Sequence, residues 1–491
     1  MTSLNVPVFR LGHNEPWHSA LSEKKPIQAI DGSNLGEQSV TLPARIKYDT
    51  RPEQARQLLD KVREFGLAKM LTGFRDVAHH FRNSELEVGG VKMGPDEYCR
   101  VQSLATGVPE RLCRENMDKI YKAFMRIEQT LRGHLNAWRG DVSLEDIFSG
   151  KEGNGVARQS AILGGIWPSN SSGVYQLLPP GLALGPVLIK PGSGDILTPL
   201  RIREACRVVG LPSEVIGIYP GDGDRLSSPI AEATQRRLLF GGADTVNRYH
   251  GNPQVEVHGP GCSKIIIGQD KIANWRDYLD SMKASVMNGS GRGCIACSAI
   301  YAPGEIAEEV AIALSDLIGD THVRKLDDPE AQLAAFGSPQ GAANILGLMR
   351  KYVAHGEGRF ITPEEDRAVV CGPYSVLRPV VAYLPKVPAP GDLSASKFEI
   401  PAPAVLVVNS DGYPLDQVIG STLVCTAITD DGELLNKLAD SGRISRLNRK
   451  PIATTTIHCE GEAEVPLEGY GMPRFLYDTE LGKEAPKKPT Y

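Results

Sequence analysis

A cysteine preceded by glycines is the residue of this chain best suited to covalent chemistry. Two glycines stand just before Cys294 in the run 291–298, GRGCIACS. Glycines there expose the sulfur and leave backbone N–H groups free to bind an oxyanion. The spacing Cys294-x-x-Cys297 also fits a redox pair or half of a zinc site. His258 and Cys262 are candidates for the remaining zinc ligands, but their spacing matches no common zinc motif, and ordinary buried thiols stay open as a further alternative.

An asparagine and a lysine stand at the ends of two predicted strands. The strand Ile162–Trp167 is followed by Asn170, and Lys190 closes the strand Val187–Lys190. Ligands of α/β proteins bind beyond the carboxyl ends of the strands. An Asn amide there can donate to a developing oxyanion, and a Lys can reach the hydroxyls or phosphate of a nucleotide. A turn asparagine and a surface lysine are the simpler alternative.

Glycine turns follow two further predicted strands. Gly221 and Gly223 come after the strand Glu214–Tyr219, and Gly241 and Gly242 come after Phe240 and open a helix. Glycines at a strand-to-helix junction let the backbone approach a pyrophosphate, although any tight connection has the same composition. The sequence contains no G-x-G-x-x-G dinucleotide fingerprint.

The elements that must position these residues alternate between strands and helices. From about residue 161, short apolar runs alternate with helical patterns, which predicts βαβ units and a parallel sheet. Residues 1–50 are punctuated by Pro and Gly and are expected to form an irregular arm. Residues 51–257 are expected to hold a helical portion and a first α/β domain. Residues 258–450 are expected to hold a second α/β domain with Cys294, and residues 451–491 a C-terminal arm.

Periodicity assigns several individual elements. Apolar residues at three- and four-residue spacings predict helices over residues 52–82 and 115–138. Towards the end of the chain, apolar runs predict strands at Ala404–Val408, Thr422–Ala427 and Ile452–Ile457.

Composition excludes several classes of partner. The 491-residue chain has a formal net charge of −5 and no block of like charges, which gives no footprint for nucleic acid or for an anionic membrane surface. Its most apolar segment, residues 177–189, is shorter than the roughly 20 residues of a membrane span and is broken by Pro and Gly. Nine cysteines cannot all pair, and no export signal is visible. We therefore expect reduced thiols and a cytoplasmic protein.

The order of these motifs resembles that of the aldehyde dehydrogenase superfamily over roughly residues 160–430. Five segments match the family's motifs in the same order along the chain, namely Pro168-x-Asn170, Lys190-Pro191, Pro220-Gly221-x-Gly223, Phe240-Gly241-Gly242-Ala243 and the cysteine run 291–298. A sixth, Glu399-Ile400-Pro401-Ala402-Pro403, is similar to the family's Glu-Ile-Phe-Gly-Pro segment, whose glutamate binds the nicotinamide ribose.

The resemblance implies a fold and roles for these residues. It implies an NAD(P)-binding parallel-sheet domain within residues 51–257, a catalytic α/β domain and a small oligomerisation arm, in a homodimer or homotetramer. Cys294 becomes the covalent nucleophile and Asn170 an oxyanion donor, and no metal is expected. The residues implied in cofactor binding are Lys190, Ser193, Gly221, Gly223, Phe240, Gly241, Gly242 and Glu399.

One departure from the family concerns the deacylating base. Hydrolytic members place a glutamate at the head of a Glu-Leu-Gly-Gly motif, where it activates water, but His258 stands at that position here. The Gly-Pro-Gly segment that follows resembles CoA-acylating aldehyde dehydrogenases and the acyl-CoA reductases of bacterial luminescence. Glu256 is expected to point to the opposite face of its strand. His258 can still act as a base, or it is a structural turn residue.

A second departure concerns the nucleotide. NAD-preferring members carry a glutamate three residues after the lysine, where it binds the adenosine ribose, and Ser193 stands there in this chain. Loss of that carboxylate removes repulsion against a 2′-phosphate, with which Lys190 can pair. NADP is therefore permitted beside NAD.

Together these features predict an enzyme that interconverts an aldehyde and an acyl-CoA thioester, with CoA as co-substrate. Two alternatives stay open. One is a hydrolytic aldehyde dehydrogenase that releases a free acid, and the other is a catalytically silent homologue that serves as a scaffold.

Overall fold

The computed structural model describes most of the chain as a set of parallel sheets with flanking helices. It covers residues 3–17, 23–135, 144, 154–157, 162–169, 171–234, 236–249, 251–252, 255–457 and 474–477. The helices are α1 Pro43–Asp49, α2 Pro52–Phe65, α3 Leu67–Asn83, α4 Pro95–Thr106, α5 Glu110–Met125, α6 Ile127–Leu135, α7 Leu178–Leu184, α8 Leu197–Val209, α9 Gly223–Ala233, α10 Ala243–Tyr249, α11 Leu279–Met287, α12 Gly304–Ile318, α13 Gly341–His355, α14 Leu415–Val418 and α15 Gly432–Asp440.

The strands are β1 Leu4–Val6, β2 Lys24–Gln28, β3 Asn34–Ser39, β4 Leu86–Val88, β5 Val91–Met93, β6 Asn154–Ala157, β7 Leu163–Ile166, β8 Val187–Lys190, β9 Ile216–Ile218, β10 Arg236–Phe240, β11 Val255–His258, β12 Ser263–Ile267, β13 Cys297–Ala302, β14 Ala335–Phe336, β15 Arg359–Phe360, β16 Ala368–Cys371, β17 Tyr374–Leu377, β18 Val380–Leu384, β19 Ala404–Asn409, β20 Thr422–Ile428, β21 Ile444–Asn448 and β22 Arg474–Tyr477. Among the helices described, none combines the length and the apolar character needed to cross a membrane.

A five-stranded parallel sheet forms the first α/β unit. Its order is β11-β10-β7-β8-β9, and every neighbouring pair is parallel. All four residues of β8 are buried, as expected when helices cover both faces of a parallel sheet. The strand order reverses between β7 and β10, and the crevice beyond the carboxyl ends at such a point is where α/β sheets bind ligands. The predicted α/β class is confirmed.

A seven-stranded sheet forms the second unit. Its order is β15-β18-β19-β13-β12-β20-β21, and β15 is its antiparallel edge strand. Helix α12 packs on one face with Val310 and Leu314, and α13 packs on the other with Leu346 and Met349. The sheet is therefore buried on both sides.

Four residues join the two sheets. The chain leaves the carboxyl end of β11 at His258 and enters the amino end of β12 at Ser263, through Gly259, Pro260, Gly261 and Cys262. The carboxyl edge of the first sheet is thereby brought next to the amino edge of the second.

The expectation of an irregular N-terminal arm is wrong over its described part. Strands β1, β3 and β2 form a small sheet, and the backbone of Phe9 pairs with Ile218 at the edge of the five-stranded sheet. Leu4, Val6 and Val8 are buried in the first core, and Asn5 between the first two is exposed. This apolar segment is only a few residues long. The residues that pair with it lie about 30 and about 200 positions further along the chain.

The strand predicted at Ile452–Ile457 is also wrong, because these residues form turns. Thr454 is buried, and its backbone N–H donates to Ser285 Oγ (2.9 Å). The threonines of this segment form hydrogen bonds to a neighbouring helix instead of to a neighbouring strand. The predicted tail beyond residue 477 lies outside the described residues, and the predicted domain boundaries stay predictions.

A fully buried arginine ties the helical portion to the first sheet. Arg201, on α8, donates to the carbonyls of Phe81 (2.8 Å), Ser84 (2.7 Å) and Met93 (3.0 Å). Those carbonyls lie at the end of α3, just after it, and at the end of β5, where the helices and strands have no ladder partners of their own.

We expect Arg201→Met to lower the free energy of unfolding by about 3 kcal/mol or more, because each buried carbonyl left without a donor costs about 1–3 kcal/mol. Arg207→Met is the matched control on the same helix, since its ion pair with Glu204 is partly exposed and should be worth less than about 1 kcal/mol. Urea unfolding of both variants measures the difference. Equal shifts in the two variants would contradict a bracing role for Arg201.

Candidate active site

Three cysteines lie at the amino edge of the second sheet, and one of them is accessible. Cys294 is partly exposed on the turn before β13. Cys297 is 2% exposed, its Sγ donates to the carbonyl of Ala299, and burial raises its pKa to about 12. Cys262 is buried as well, and burial raises its pKa to about 11. A thiolate is the reactive form, so Cys294 is the best candidate nucleophile of the three.

The zinc and redox interpretations of the Cys294-x-x-Cys297 spacing gain no support. Within the described part of the chain, no group of three or more His, Cys, Asp or Glu side chains is arranged to hold a metal ion. Cys297 is packed in the apolar core beneath β13, where a redox partner cannot reach it.

The turn that carries Cys294 is fixed by its glycine and arginine. Gly291 has φ +65°, and a Cβ at this position would lie 2.4 Å from the carbonyl oxygen of Ala402. The Arg292 guanidinium donates to the carbonyls of Thr106 (3.3 Å) and Ala335. Burial lowers the pKa of Arg292 to about 10, so it stays a cation at neutral pH. The sequence analysis missed this clamp, because both of its partners are backbone atoms far along the chain.

The connection between the sheets lies directly against the nucleophile. A Cβ on Gly261 would lie 2.1 Å from the carbonyl oxygen of Cys294, and Ser263 Oγ donates to that same oxygen (2.8 Å). The Glu399 carboxylate accepts from the N–H of Cys262 (2.6 Å) and also interacts with the N–H of Gly261. Burial raises the pKa of Glu399 to about 7. Glu399 thus holds the connection, and its predicted contact with a ribose stays a prediction.

His258 ends β11 inside a column of aromatic rings. Its ring stacks on Phe240 at 4.7 Å between centroids, Phe240 stacks on Trp167 at 5.4 Å, and Trp167 stacks on Tyr175 at 4.5 Å. Stacking on both neighbours fixes the predicted cofactor residue Phe240 and orients the imidazole. His258 and Phe240 were anticipated as site residues, whereas Trp167 and Tyr175 were not.

The expectation for Glu256 is wrong, because residues two apart on a strand share a face. Glu256 Oε1 lies 3.2 Å from Nε2 of His258. Nε2 is buried and makes no hydrogen bond to any of the described residues. The carboxylate therefore acts on the imidazole through its charge, and Nε2 keeps its hydrogen-bonding capacity. The two-residue period of a strand is the signal that could have identified this pair.

Apart from Glu399, the described residues expected to bind a cofactor lie along the carboxyl edge of the first sheet. Lys190 is buried at the end of β8, and a Cβ on Gly223 would lie 3.8 Å from its Nζ. Ser193 Oγ bonds Ser169 Oγ (3.1 Å). Gly221 has φ +152°, a conformation that favours glycine. Asn170 lies outside the described residues.

The turn at Gly242 leaves open space at the same edge. A Cβ on Gly242, at the start of α10, would meet nothing within 4 Å, and the N–H of Gly241 donates to the carbonyl of His258 (3.1 Å). A buried ammonium beside glycine turns suits phosphate groups. Lys190, Gly223 and Gly242 therefore fit such a group, at the point where the strand order reverses.

Comparison with known proteins identifies the family. The model of the Aldehyde dehydrogenase family matches residues 162–381, which include both glycine turns, His258 and Cys294. Residues 162–381 are therefore similar to the aldehyde dehydrogenase family, which supports the superfamily assignment. The predicted superfamily resemblance is thereby confirmed.

Individual relatives agree with this assignment. The 1-pyrroline-5-carboxylate dehydrogenase of Geobacillus kaustophilus (strain HTA426) is 27% identical over 192 residues, which are 36% of each chain. The match thus spans about a third of that relative. The solved aldehyde dehydrogenase of Brucella melitensis biovar abortus 2308 has a TM-score of 0.73 at 14% identity, covering 96% of this chain and 97% of that one. The NADP-dependent glyceraldehyde-3-phosphate dehydrogenase of Bacillus halodurans C-125, complexed with NADP, has a TM-score of 0.70 at 14% identity over 92% and 91% of the two chains. These structural likenesses show the fold.

We expect Gly261→Ala to lower kcat by about 100-fold, because the new methyl group must displace the Cys294 turn by roughly an ångström. Gly347→Ala on α13 is the matched control, since a Cβ there would meet nothing within 4 Å, and its kcat should equal that of the wild type. Steady-state kinetics, with thermal melting to verify folding, measures both variants. Wild-type kcat in a folded Gly261→Ala protein would contradict the contact.

Proposed function

We propose that the protein is an NAD(P)-dependent oxidoreductase that interconverts an aldehyde and an acyl-CoA thioester through a thioester on Cys294. The shared location of Cys294 and His258 is the main support. Gly261 is three positions after His258, a span of at most about 11 Å, and Gly261 lies against Cys294. A nucleophile and a base are thus available at one junction.

The chain's own residues supply attack, charge stabilisation and proton transfer. The Cys294 thiolate attacks the aldehyde carbon, and the oxyanion accepts from the Cys294 N–H and from Asn170. Lys190, Gly223 and Gly242 would hold a nicotinamide dinucleotide, which would supply the hydride chemistry in either direction. In acyl transfer His258 takes the proton of the CoA thiol, the CoA sulfur forms the new thioester, and Cys294 leaves as a thiolate.

The junction offers two carboxylates, and both are engaged. Glu399 accepts from the N–H of Cys262, and Glu256 lies against His258. A thioester without a free carboxylate to activate water should survive long enough to react with a thiol. This favours CoA as the acceptor.

Hydrolysis to a free acid is the second candidate, and the Glu256–His258 contact favours it. A histidine that acts as a base can activate water as well as a thiol. The name of the Geobacillus relative, 1-pyrroline-5-carboxylate dehydrogenase, does not mention CoA. A scaffold role is disfavoured because Cys294 keeps an accessible sulfur.

The cofactor is proposed to be NADP or NAD. Lys190 is placed to pair with a 2′-phosphate, and Ser193 presents no carboxylate to repel it. The NADP complex of the Bacillus halodurans neighbour is consistent with this. We also propose a homodimer or homotetramer, whose arm would include the antiparallel pair of β6 and β22.

We expect Cys294→Ala to abolish turnover and Cys297→Ala to retain most of it, because only the first sulfur is accessible. Trapping of a labelled acyl group, followed by peptide mapping, locates the thioester. An acyl group on residue 297 would show that the nucleophile is misassigned.

Aldehyde oxidation without CoA should give a burst of at most about one equivalent of reduced cofactor, because the thioester has no acceptor, and addition of CoA should restore turnover. The assay is run with NAD and with NADP. His258→Glu should raise the rate without CoA, since a carboxylate there can activate water, while His258→Gln serves as the control without a base. Rapid acid formation by the wild type in the absence of any thiol would establish hydrolysis instead.

A further inference from the structure

A cavity beside α5 is lined by cations and has no role in the chemistry described above. Its volume is about 250 Å³, at the small end of ligand sites. Lys119, Lys122 and Arg126 line one wall, and their spacing of three and four residues places them on one side of α5 and its end. The other lining residues are Ala123, Ile127, Thr130, Gln176, Pro180, Thr455 and Ile457, so this lining contains no carboxylate.

The three cations form no ion pair within the described part of the chain, although the charge of Glu115 acts on Lys119 and opposes the effect of burial on its pKa. None of the ion pairs found there includes Lys119, Lys122 or Arg126. Lys119 is half-buried, its Nζ donates weakly to Asn116 Oδ1 (3.4 Å), and burial lowers its pKa. Like charges three or four residues apart on a helix are destabilising. An anion in the cavity would offset that repulsion.

The segments that carry the predicted reacting groups adjoin this cavity through two of its lining residues, Gln176, which lies six residues after Asn170, and Thr455. On one side, Asn116 Nδ2 donates to Ser172 Oγ (3.3 Å), two residues after Asn170. On the other side, Asn288 Nδ2 donates to Thr455 Oγ1 (2.9 Å), and Asn288 lies six residues before Cys294. A small molecule in the cavity would therefore contact Gln176 and Thr455, which connect it to these two segments.

We propose that the cavity binds an anionic group, a carboxylate or a phosphate, at the far end of the aldehyde or acyl substrate. This assignment of substrate class rests on the proposed function and extends it. Lys122 and Arg126 are exposed and can turn towards the ligand, while Lys119 supplies a fixed charge at the inner wall. Charge-assisted hydrogen bonds of this kind are stronger than hydrogen bonds between neutral groups.

Two other sources of negative charge are separable by experiment. The phosphates of CoA carry the same chemistry. The sequence after Ile457 also carries Glu460, Glu462, Glu464 and Glu468, which could neutralise the cations from within the chain.

The test compares 4-oxobutanoate with butanal, which have equal length and differ in the terminal carboxylate. The variant is Lys122→Gln with Arg126→Gln, and the control is Lys351→Gln, an exposed lysine on α13. In the full chain, the wild type should favour 4-oxobutanoate. The double variant should lose roughly 10- to 100-fold in kcat/KM for it, as expected for one or two charge-assisted bonds, and less than about twofold for butanal. The control should match the wild type on both.

Three outcomes would overturn the proposal. Equal losses on both aldehydes would show a structural effect, and a loss confined to the KM for CoA would assign the cations to CoA. A preference for 4-oxobutanoate that appears only after Glu460, Glu462, Glu464 and Glu468 are changed to Gln would assign the cavity to the chain's own glutamates.

Equilibrium binding of succinate separates this proposal from the proposed function. If neither aldehyde turns over, the oxidoreductase proposal is contradicted. Succinate binding that is lost in the double variant and kept in Lys351→Gln would then still support the anion site. Equal succinate binding by all three proteins would overturn the anion site, whatever their activity.

Discussion

The four-residue connection between His258 and Ser263 is the constraint on which the site depends. It is too short to let the two sheets separate, so the carboxyl edge of one and the amino edge of the other must meet. The cofactor residues proposed on the first sheet and the nucleophile on the second are thereby placed on either side of one narrow gap. Gly261 allows the closest approach in this gap, because any side chain there would collide with Cys294.

Buried polar groups hold the gap in register. Glu399 fixes the connection through backbone N–H groups, and Arg292 fixes the Cys294 turn through backbone carbonyls. Both bind main-chain atoms, so they specify a backbone path without depending on other side chains. Burying a charged group is costly unless it is hydrogen-bonded, and here each of the two has its partners. A substitution of either residue would therefore disturb the backbone geometry of the gap more than its charge.

Much of this arrangement could be predicted from the sequence where the signal is local. The glycine turns, Lys190 and Cys294 stand at strand ends that apolar runs and helical periods mark directly. The N-terminal sheet could not be predicted in this way, since Val6 and Phe9 pair with residues far along the chain. The two-residue period of a strand could have placed Glu256 beside His258, but Glu256 was assigned to the opposite face. The cation-lined cavity draws on three separate segments, and no local pattern brings Lys119 to Gln176 and Thr455.

The contact between Glu399 and Cys262 spans 137 residues, and this has a consequence for the newly synthesised chain. Ribosomes add about 5–20 residues each second, so on the order of 7–27 seconds pass between synthesis of the connection and synthesis of the glutamate that holds it. During that interval the thiol of Cys294 already exists on a turn without its support. Protection of this sulfur from oxidants in the nascent chain must come from outside the finished fold, by a reducing environment or by chaperones.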